Sequence, residues 1–249
     1  MREGVSVDLV LLLRNPRVQE ELGEALWAAF REVEDFYNSD VQRAEFHRLF
    51  LSEEQPSEQV LQYLERNSNE ATPQPLWLPT PTSLWGTSDN GRVRTYDADG
   101  ISTSVRALFG DVLRGTPLIV TDQEITPPPQ WRYILWKSRV VSLAPMDPDY
   151  WRTRDPHRVA TIKHRVRTVC LLNVGSILGM GRCGNEHCFL YRNVDSVIRL
   201  DAMVKLGAEH GLPELQDRGF EVISDEPQAV QPAQPVTGDA MRWGWSYER

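Results

Sequence analysis

The chain has 249 residues, of which 41% are hydrophobic and 25% are charged, and its net charge is −8. This composition is ordinary for a soluble globular protein, and the length suffices for one large domain or two small ones without a disulfide or metal to stabilise them. The acidic balance disfavours binding to nucleic acid, because phosphate contacts need surplus positive charge.

The compartment is indicated by short apolar runs and few cysteines. No run approaches the roughly 18 apolar residues of a membrane span, and the apolar stretch 5–13 is broken by Asp8 and too short for a signal peptide. Three cysteines, Cys170, Cys183 and Cys188, are an odd and small number that fits a reducing compartment better than a disulfide framework. We expect a cytoplasmic protein.

The first predicted unit is a buried strand over residues 5–13 followed by a helix. Asn15 caps free amides, and Pro16 at the first helical position loses no hydrogen bond. Apolar residues at helical spacing carry this helix to about residue 36. They are Val18, Leu22, Leu26, Ala29, Phe30 and Val33.

An insertion is predicted over residues 38–75, with a short helix at 57–67 and a polar linker at 67–75. A strand, a helix and three further strands are then predicted at 76–78, 101–113, 117–121, 133–136 and 139–143. A turn at Lys137-Ser138 joins the last two strands. The order predicts an α/β fold class with a mixed sheet whose last part is antiparallel.

A long helix is predicted from residue 158 to 178, and its second half is apolar on nearly all sides, which indicates a helix through the core. Gly179 ends it, and a further helical region is predicted at 195–210. From residue 225 onward the chain is rich in Pro, Gln and Ala, which is typical of disorder. We therefore predict one domain over 1–224 and a flexible tail over 225–249.

Charge is distributed unevenly along the chain. Residues 1–75 carry 7 Lys and Arg against 15 Asp and Glu, whereas residues 131–167 carry 9 against 3. The two regions either complement each other within one fold or leave a basic face for an acidic partner.

A spaced pattern lies at residues 172–190, where Gly179 is followed by Cys183 and Cys188 with four residues between the cysteines. It resembles the archaemetzincin family of zinc peptidases, whose motif is HExxHxxGxxHC, four residues, Cys, one residue, Met and, after 17 residues, CxxC. Two upstream segments resemble the family's central strands, at 119–125 and 139–143. The resemblance implies a metzincin-like mixed β-sheet, a long helix of the active-site type and a small C-terminal helical part.

The positions that carry the family's chemistry are replaced. Leu172, Ser176 and Arg182 stand where the three zinc-binding histidines belong, Asn173 replaces the glutamate base, and Leu190 replaces the methionine. Leucine cannot bind zinc, a neutral serine binds it weakly, and arginine repels it. An amide cannot accept a proton at neutral pH. The resemblance therefore implies a pseudoenzyme, an inactive metallopeptidase homologue.

The cysteines leave a metal hypothesis open. In the family a second cysteine pair completes a structural zinc site, but Ala208 and Gly211 stand there. Two thiolates and two imidazoles can bind zinc. The residues that could supply them are Cys183, His187, Cys188 and His210. A disulfide between the two cysteines is a further alternative, and otherwise we expect no cofactor.

Three other reactive side chains are interpreted as structural. His157 and His164 lie two turns apart on one helix and are predicted to be solvated within a basic stretch. Cys170 is predicted to be buried and inert, because nothing nearby lowers the pKa of its thiol.

The C-terminal end carries Trp243, Trp245 and Tyr247 after the flexible linker. Tyr and Trp concentrate in interface hot spots, so these residues are predicted to dock on a partner. Docking back on the same domain and no role at all are the alternatives.

The leading hypothesis is a non-catalytic pseudo-peptidase that binds a peptide or protein partner in a groove along the sheet edge, by β-augmentation. Arg182 would hold a carboxylate, with Ser176 and Asn173 beside it. The competing hypothesis is an enzyme, either a metal- or thiol-dependent hydrolase or a biosynthetic enzyme. Its site would be rebuilt around Asn173, Ser176, Arg182, Cys183 and Cys188. A third is a subunit of a larger complex that uses the acidic N-terminal part and the aromatic tail as contacts.

Overall fold

The structure is a computed structural model. It describes residues 5–37, 45–50, 74–75, 92–93, 95–127, 133–151, 153–203, 206–207 and 222–223. The predicted helix at 57–67, the strand at 76–78, His210, the Ala208 and Gly211 positions and the aromatic tail lie outside the described residues.

A five-stranded sheet forms the centre of the described part, in the order β2-β1-β6-β9-β8. Its strands are β1 Ser6–Leu12, β2 Glu45–Phe50, β6 Thr116–Thr121, β8 Trp136–Lys137 and β9 Val140–Ser142. Strand β1 pairs parallel with β2 and β6, β6 pairs parallel with β9, and β8 pairs antiparallel with β9. The predicted α/β class with a mixed sheet is confirmed.

Short strands and four helices complete the described elements. The strands are β3 Gln74–Pro75, β4 Arg92–Val93, β5 Thr95–Tyr96, β7 Glu124–Ile125, β10 Leu206–Gly207 and β11 Val222–Ile223. The helices are α1 Pro16–Tyr37, α2 Ala98–Phe109, α3 Arg158–Ile177 and α4 Val197–Ala202. Two 3₁₀ turns, Ala144–Met146 and Pro148–Trp151, follow β9. None of the described helices is both long and apolar enough to cross a bilayer.

The sheet separates two apolar cores, because side chains of a strand alternate between its faces. Val7, Leu9 and Leu11 of β1 point to the larger core with α1 and α3. Val10 and Leu12 of the same strand point to the smaller core with α2. The described part is therefore a three-layer arrangement of helix, sheet and helix.

Helix α1 is anchored where β6 ends. The Arg14 and Asn15 amides both donate to Asp122 Oδ2, at 2.9 and 2.6 Å, and Asn15 Oδ1 accepts from the Arg17 amide at 3.0 Å. Asn15 thus caps the helix as predicted. Asp122 is the partner that sequence analysis missed, because it lies more than a hundred residues away.

Ion pairs join α1 to α3 and explain the uneven charge distribution. Arg158 pairs with Glu21 at 2.9 Å, and Glu32 pairs with Arg167 at 3.1 Å and also with Lys163. The acidic and basic regions therefore complement each other within one fold, at least at these helices.

Several predicted boundaries are wrong. The sequence predicted one helix over 195–210, but α4 ends at Ala202, because Met203 takes an extended conformation, and residues 206–207 are a strand. Strand β2 lies within the range predicted as an insertion. Helix α2 begins three residues earlier than predicted, because Asp97 accepts from the Gly100 amide at 2.9 Å.

The hairpin that ends the sheet is also displaced from its predicted position. Its loop is Ser138-Arg139 rather than Lys137-Ser138, and both loop residues have positive φ angles, 51° and 65°. Such a two-residue loop matches the twist of the two strands. Neither residue type favours this conformation, so the sequence predicted a turn but gave no signal for its exact position.

Candidate functional site

The predicted glycine turn after α3 is present. Gly179 has φ 77°, and the Met180 amide donates to the Gly175 carbonyl at 2.8 Å. This bond closes the helix end in the manner of a Schellman motif, which requires a left-handed residue after the last turn. The chain then reverses toward Cys183.

Leu190 packs directly beneath the last turns of α3. A Cβ atom built on Gly175 would lie 2.5 Å from Leu190 Cδ2 and 2.9 Å from the Tyr37 hydroxyl. That hydroxyl donates to the Leu171 carbonyl at 2.7 Å. Glycine at position 175 therefore allows the Leu190 loop to touch the helix between the two positions that would carry the first two metal ligands.

The side chains at these positions differ in burial and in hydrogen bonding. Leu172 is completely buried in the core. Ser176 is exposed, and its hydroxyl donates to the Leu172 carbonyl at 3.0 Å. Asn173 is buried, and its amide donates to the Val169 carbonyl at 2.8 Å. Both polar groups are thus engaged with their own helix backbone one turn earlier.

Arg182 is exposed at the end of the turn. Partial burial lowers the pKa of its guanidinium, and no carboxylate offsets this effect. Arg158, Arg165 and Arg199 are each paired with a carboxylate. In the described part of the chain, no such partner is found for Arg182.

These residues do not fit a catalytic zinc ion. Leu172 has no donor atom, the Ser176 hydroxyl is engaged with the backbone, and Arg182 is a cation. Nor do the described residues contain a group of three or more His, Cys, Asp or Glu that could hold a metal.

The loop that contains Cys183 and Cys188 includes hydrogen bonds from backbone amides to the two sulfur atoms. Cys183 and Cys188 are buried thiols that form no disulfide, and their Sγ atoms accept hydrogen bonds from the Asn185 and Leu190 amides at 3.3 Å each. His187 Nδ1 lies 3.0 Å from the Ala202 carbonyl oxygen. Because His210 is outside the described residues, the four-residue zinc set stays a prediction.

The predictions for Cys170, His157 and His164 have different outcomes. Cys170 is buried, which confirms the prediction of a core residue, and burial raises the pKa of its thiol. His157 is exposed as predicted. His164 is not solvated: it is half-buried with Nε2 3.3 Å from the Leu200 carbonyl oxygen, and burial lowers the pKa of its imidazole.

A polar cluster that sequence analysis missed surrounds Glu124. Burial raises the pKa of this carboxyl to about 7, although a hydrogen bond from the Tyr150 hydroxyl opposes the shift. Tyr150 is itself buried, and both burial and the Glu124 charge raise its pKa. The sequence offered only a glutamate near the end of the segment 119–125, and such a residue does not by itself indicate burial.

Comparison with known proteins gives structural neighbours only, since no family model and no curated protein matches the sequence. The chain is similar to archaemetzincin. The structure from Methanopyrus kandleri is 15% identical, with a TM-score of 0.45, over 81% of this chain and 88% of that chain. A zinc-dependent peptidase from Methanocorpusculum labreanum is 13% identical, with a TM-score of 0.46, over 79% and 92%. Both are proteins of the kind that the sequence resembles, and the chemistry of this site rests on its own residues.

Proposed function

We propose that this chain is a non-catalytic, archaemetzincin-like pseudo-peptidase that binds an acidic peptide segment of a partner protein. The observation that carries the proposal is the chemistry, burial and hydrogen bonding of the residues at the motif positions. Leu172 is buried, while the polar groups of Asn173 and Ser176 are bonded to the helix backbone. None of the three is a general base or a strong zinc ligand, because a hydrocarbon has no lone pair and a neutral amide or hydroxyl binds zinc weakly.

Arg182 supports an acidic partner. Its exposed guanidinium has no carboxylate partner among the described residues. A carboxylate of a bound peptide would reach it from solvent and form charge-assisted hydrogen bonds.

The position of strand β8 is consistent with the binding of an extended peptide. It is the outer strand at one end of the main sheet in the described part, with β9 as its neighbour there. The side chain of Lys137 is drawn to α2 by Asp97 and Asp99, at 3.5 and 3.1 Å. An outer strand can extend the sheet by pairing its backbone with a peptide.

The competing enzyme hypothesis has less support. A thiol-dependent hydrolase needs a partly accessible cysteine with a lowered pKa, whereas Cys183 and Cys188 are 1% and 0% exposed. Free thiols are also compatible with the cytoplasmic location that we propose.

Peptide binding can be tested by fluorescence anisotropy with labelled eight-residue peptide pools, one with fixed glutamates and one with fixed lysines. We expect saturable binding of the acidic pool only. Arg182→Gln should weaken it by about tenfold or more, since a hydrogen bond to a charged group contributes about 1.5–3 kcal/mol. Arg154→Gln is the matched control, because this exposed arginine lies beyond the other end of α3, about 30 Å away.

Two results would overturn the proposal. One is equal affinity of the Arg182→Gln and Arg154→Gln variants for the acidic pool. The other is cleavage of a quenched fluorescent peptide by the purified protein that a chelator abolishes, with about one equivalent of bound zinc by mass spectrometry.

A further inference from the structure

Glu124 has an acceptor atom that no described residue satisfies. Its Oε1 atom is buried and has no hydrogen-bond partner, while the carboxyl group bonds to the Tyr150 hydroxyl. An unpaired buried carboxyl oxygen is costly, most of all when the group is charged. A donor supplied by a ligand would remove this cost.

Aromatic rings surround the Tyr150 end of the cluster. Trp151 contacts Tyr133 and Tyr150 edge-on, with ring centroids 4.6 and 5.1 Å apart. The Trp151 indole is held in place by its Nε1–H bond to the Pro145 carbonyl at 2.8 Å. Tyr133 and Trp151 are only half-buried, so the ring cluster that contacts Tyr150 reaches the surface. Aromatic faces attract cations.

The charges near the cluster also favour a cation. Asp195 raises the pKa of Tyr133 and Arg165 lowers it, so both charges lie within range of that ring. Arg165 is not available to Glu124, because it binds Asp201 at 2.6–2.7 Å and the Met146 carbonyl at 2.7 Å. Once Arg165 and Asp201 cancel, the charges that remain near the cluster among the described residues are those of Glu124 and Asp195, which are negative when ionised.

The geometry selects the type of cation. A guanidinium prefers two carboxylate oxygens in a fork, whereas only Oε1 of Glu124 is free. A primary ammonium group is a compact charge with three rotatable donors, so one N–H can bond to Oε1 while the aromatic faces attract the charge.

We infer that Glu124, Tyr150, Tyr133 and Trp151 form a binding site for a primary ammonium group, from either a lysine side chain or a small amine. The site does not depend on the peptide groove near Arg182. It gives the described part of the chain a second, oppositely charged recognition point.

The test uses the full chain and NMR of the Trp151 indole, assigned with a Trp151→Phe variant. Titration with n-butylammonium at constant ionic strength should give a saturable shift. Binding should be about tenfold tighter at pH 8 than at pH 6, because a carboxyl that titrates near pH 7 binds the cation in its ionised form. Tetramethylammonium, which has no N–H donor, should bind at least about tenfold more weakly.

Two variants distinguish the contribution of the carboxylate to binding from that of the aromatic rings. Glu124→Gln should weaken butylammonium binding by at least about tenfold, while Glu20→Gln, an exposed control on α1, should not. If Glu124→Gln fails to fold, Tyr133→Leu is the second variant and should weaken binding by about threefold. A lysine tripeptide that binds more tightly than butylammonium would identify a protein ligand, whereas equal affinity would identify a free amine.

Three outcomes would overturn the inference. They are the absence of a saturable shift at Trp151, equal binding of tetramethylammonium and butylammonium, and an affinity that neither Glu124→Gln nor Tyr133→Leu changes.

Discussion

The contact between Gly175 and Leu190 predicts how the end of α3 responds to one added methyl group. In an ordinary helix, glycine to alanine stabilises by about 1 kcal/mol. Here the new Cβ would lie 2.5 Å from Leu190 Cδ2 and 2.9 Å from the Tyr37 hydroxyl. Overpacking of this kind costs about 1–3 kcal/mol, and Leu190 is only 1% exposed, so it has little room to move. We expect Gly175→Ala to lower the free energy of unfolding by about 1–2 kcal/mol.

A double-mutant cycle isolates the contact. Leu190→Ala alone should cost about 2–5 kcal/mol, because it leaves a cavity in the core. In that background Gly175→Ala should lose most of its penalty, since the shortest contact is gone. The coupling free energy should be at least about 1 kcal/mol, measured by urea unfolding followed by circular dichroism.

Gly23 provides the control for helix propensity. It lies within α1, and a Cβ atom built on it meets nothing within 4 Å. Gly23→Ala should therefore stabilise by about 1 kcal/mol. Equal effects of the two glycine substitutions, or additive effects of Gly175→Ala and Leu190→Ala, would refute the packing of Leu190 against the helix.

Two further predictions concern Glu124 and the β8–β9 hairpin. The pKa of Glu124 rises from 4.5 to about 7 on folding, so its contribution to stability is fully present below pH 4.5 and is lost as the pH rises through 7. The loss should be about 3 kcal/mol. Denaturant unfolding between pH 4.5 and 8 should show a free energy of unfolding that depends less on pH in Glu124→Gln than in the unmodified protein. Identical pH dependence in the two proteins would contradict the burial of this carboxyl. Replacing Ser138-Arg139 by Asn-Gly should raise the free energy of unfolding by about 0.5–1 kcal/mol in urea, because both positions have positive φ; an unchanged midpoint would mean that the loop does not hold this conformation.

Much of the fold near the site was predictable from local patterns. The apolar spacing of α1, the uninterrupted apolar half of α3 and Gly179 after it each depend on residues close in sequence. Helix periodicity and a left-handed glycine are properties of a few consecutive residues.

Other parts depended on partners that are distant in the chain. Strand β2 is placed by pairing with β1, across the whole of α1. The loop Ser138-Arg139 takes a conformation that neither residue favours by itself, because the pairing of β8 with β9 holds it. Sequence patterns alone do not encode such pairings.

The sequence by itself determined which chemical groups stand at the motif positions. They are a hydrocarbon, an amide, a hydroxyl and a guanidinium at Leu172, Asn173, Ser176 and Arg182, the positions to which the resemblance assigns the metal ligands and the base. Only the tertiary structure decided which of these groups remain available and that the carboxyl of Glu124 lies beside Tyr150 without a donor for Oε1. The physical reason is that burial and hydrogen-bond satisfaction depend on which distant residues pack together, and these set the free energy of a polar group.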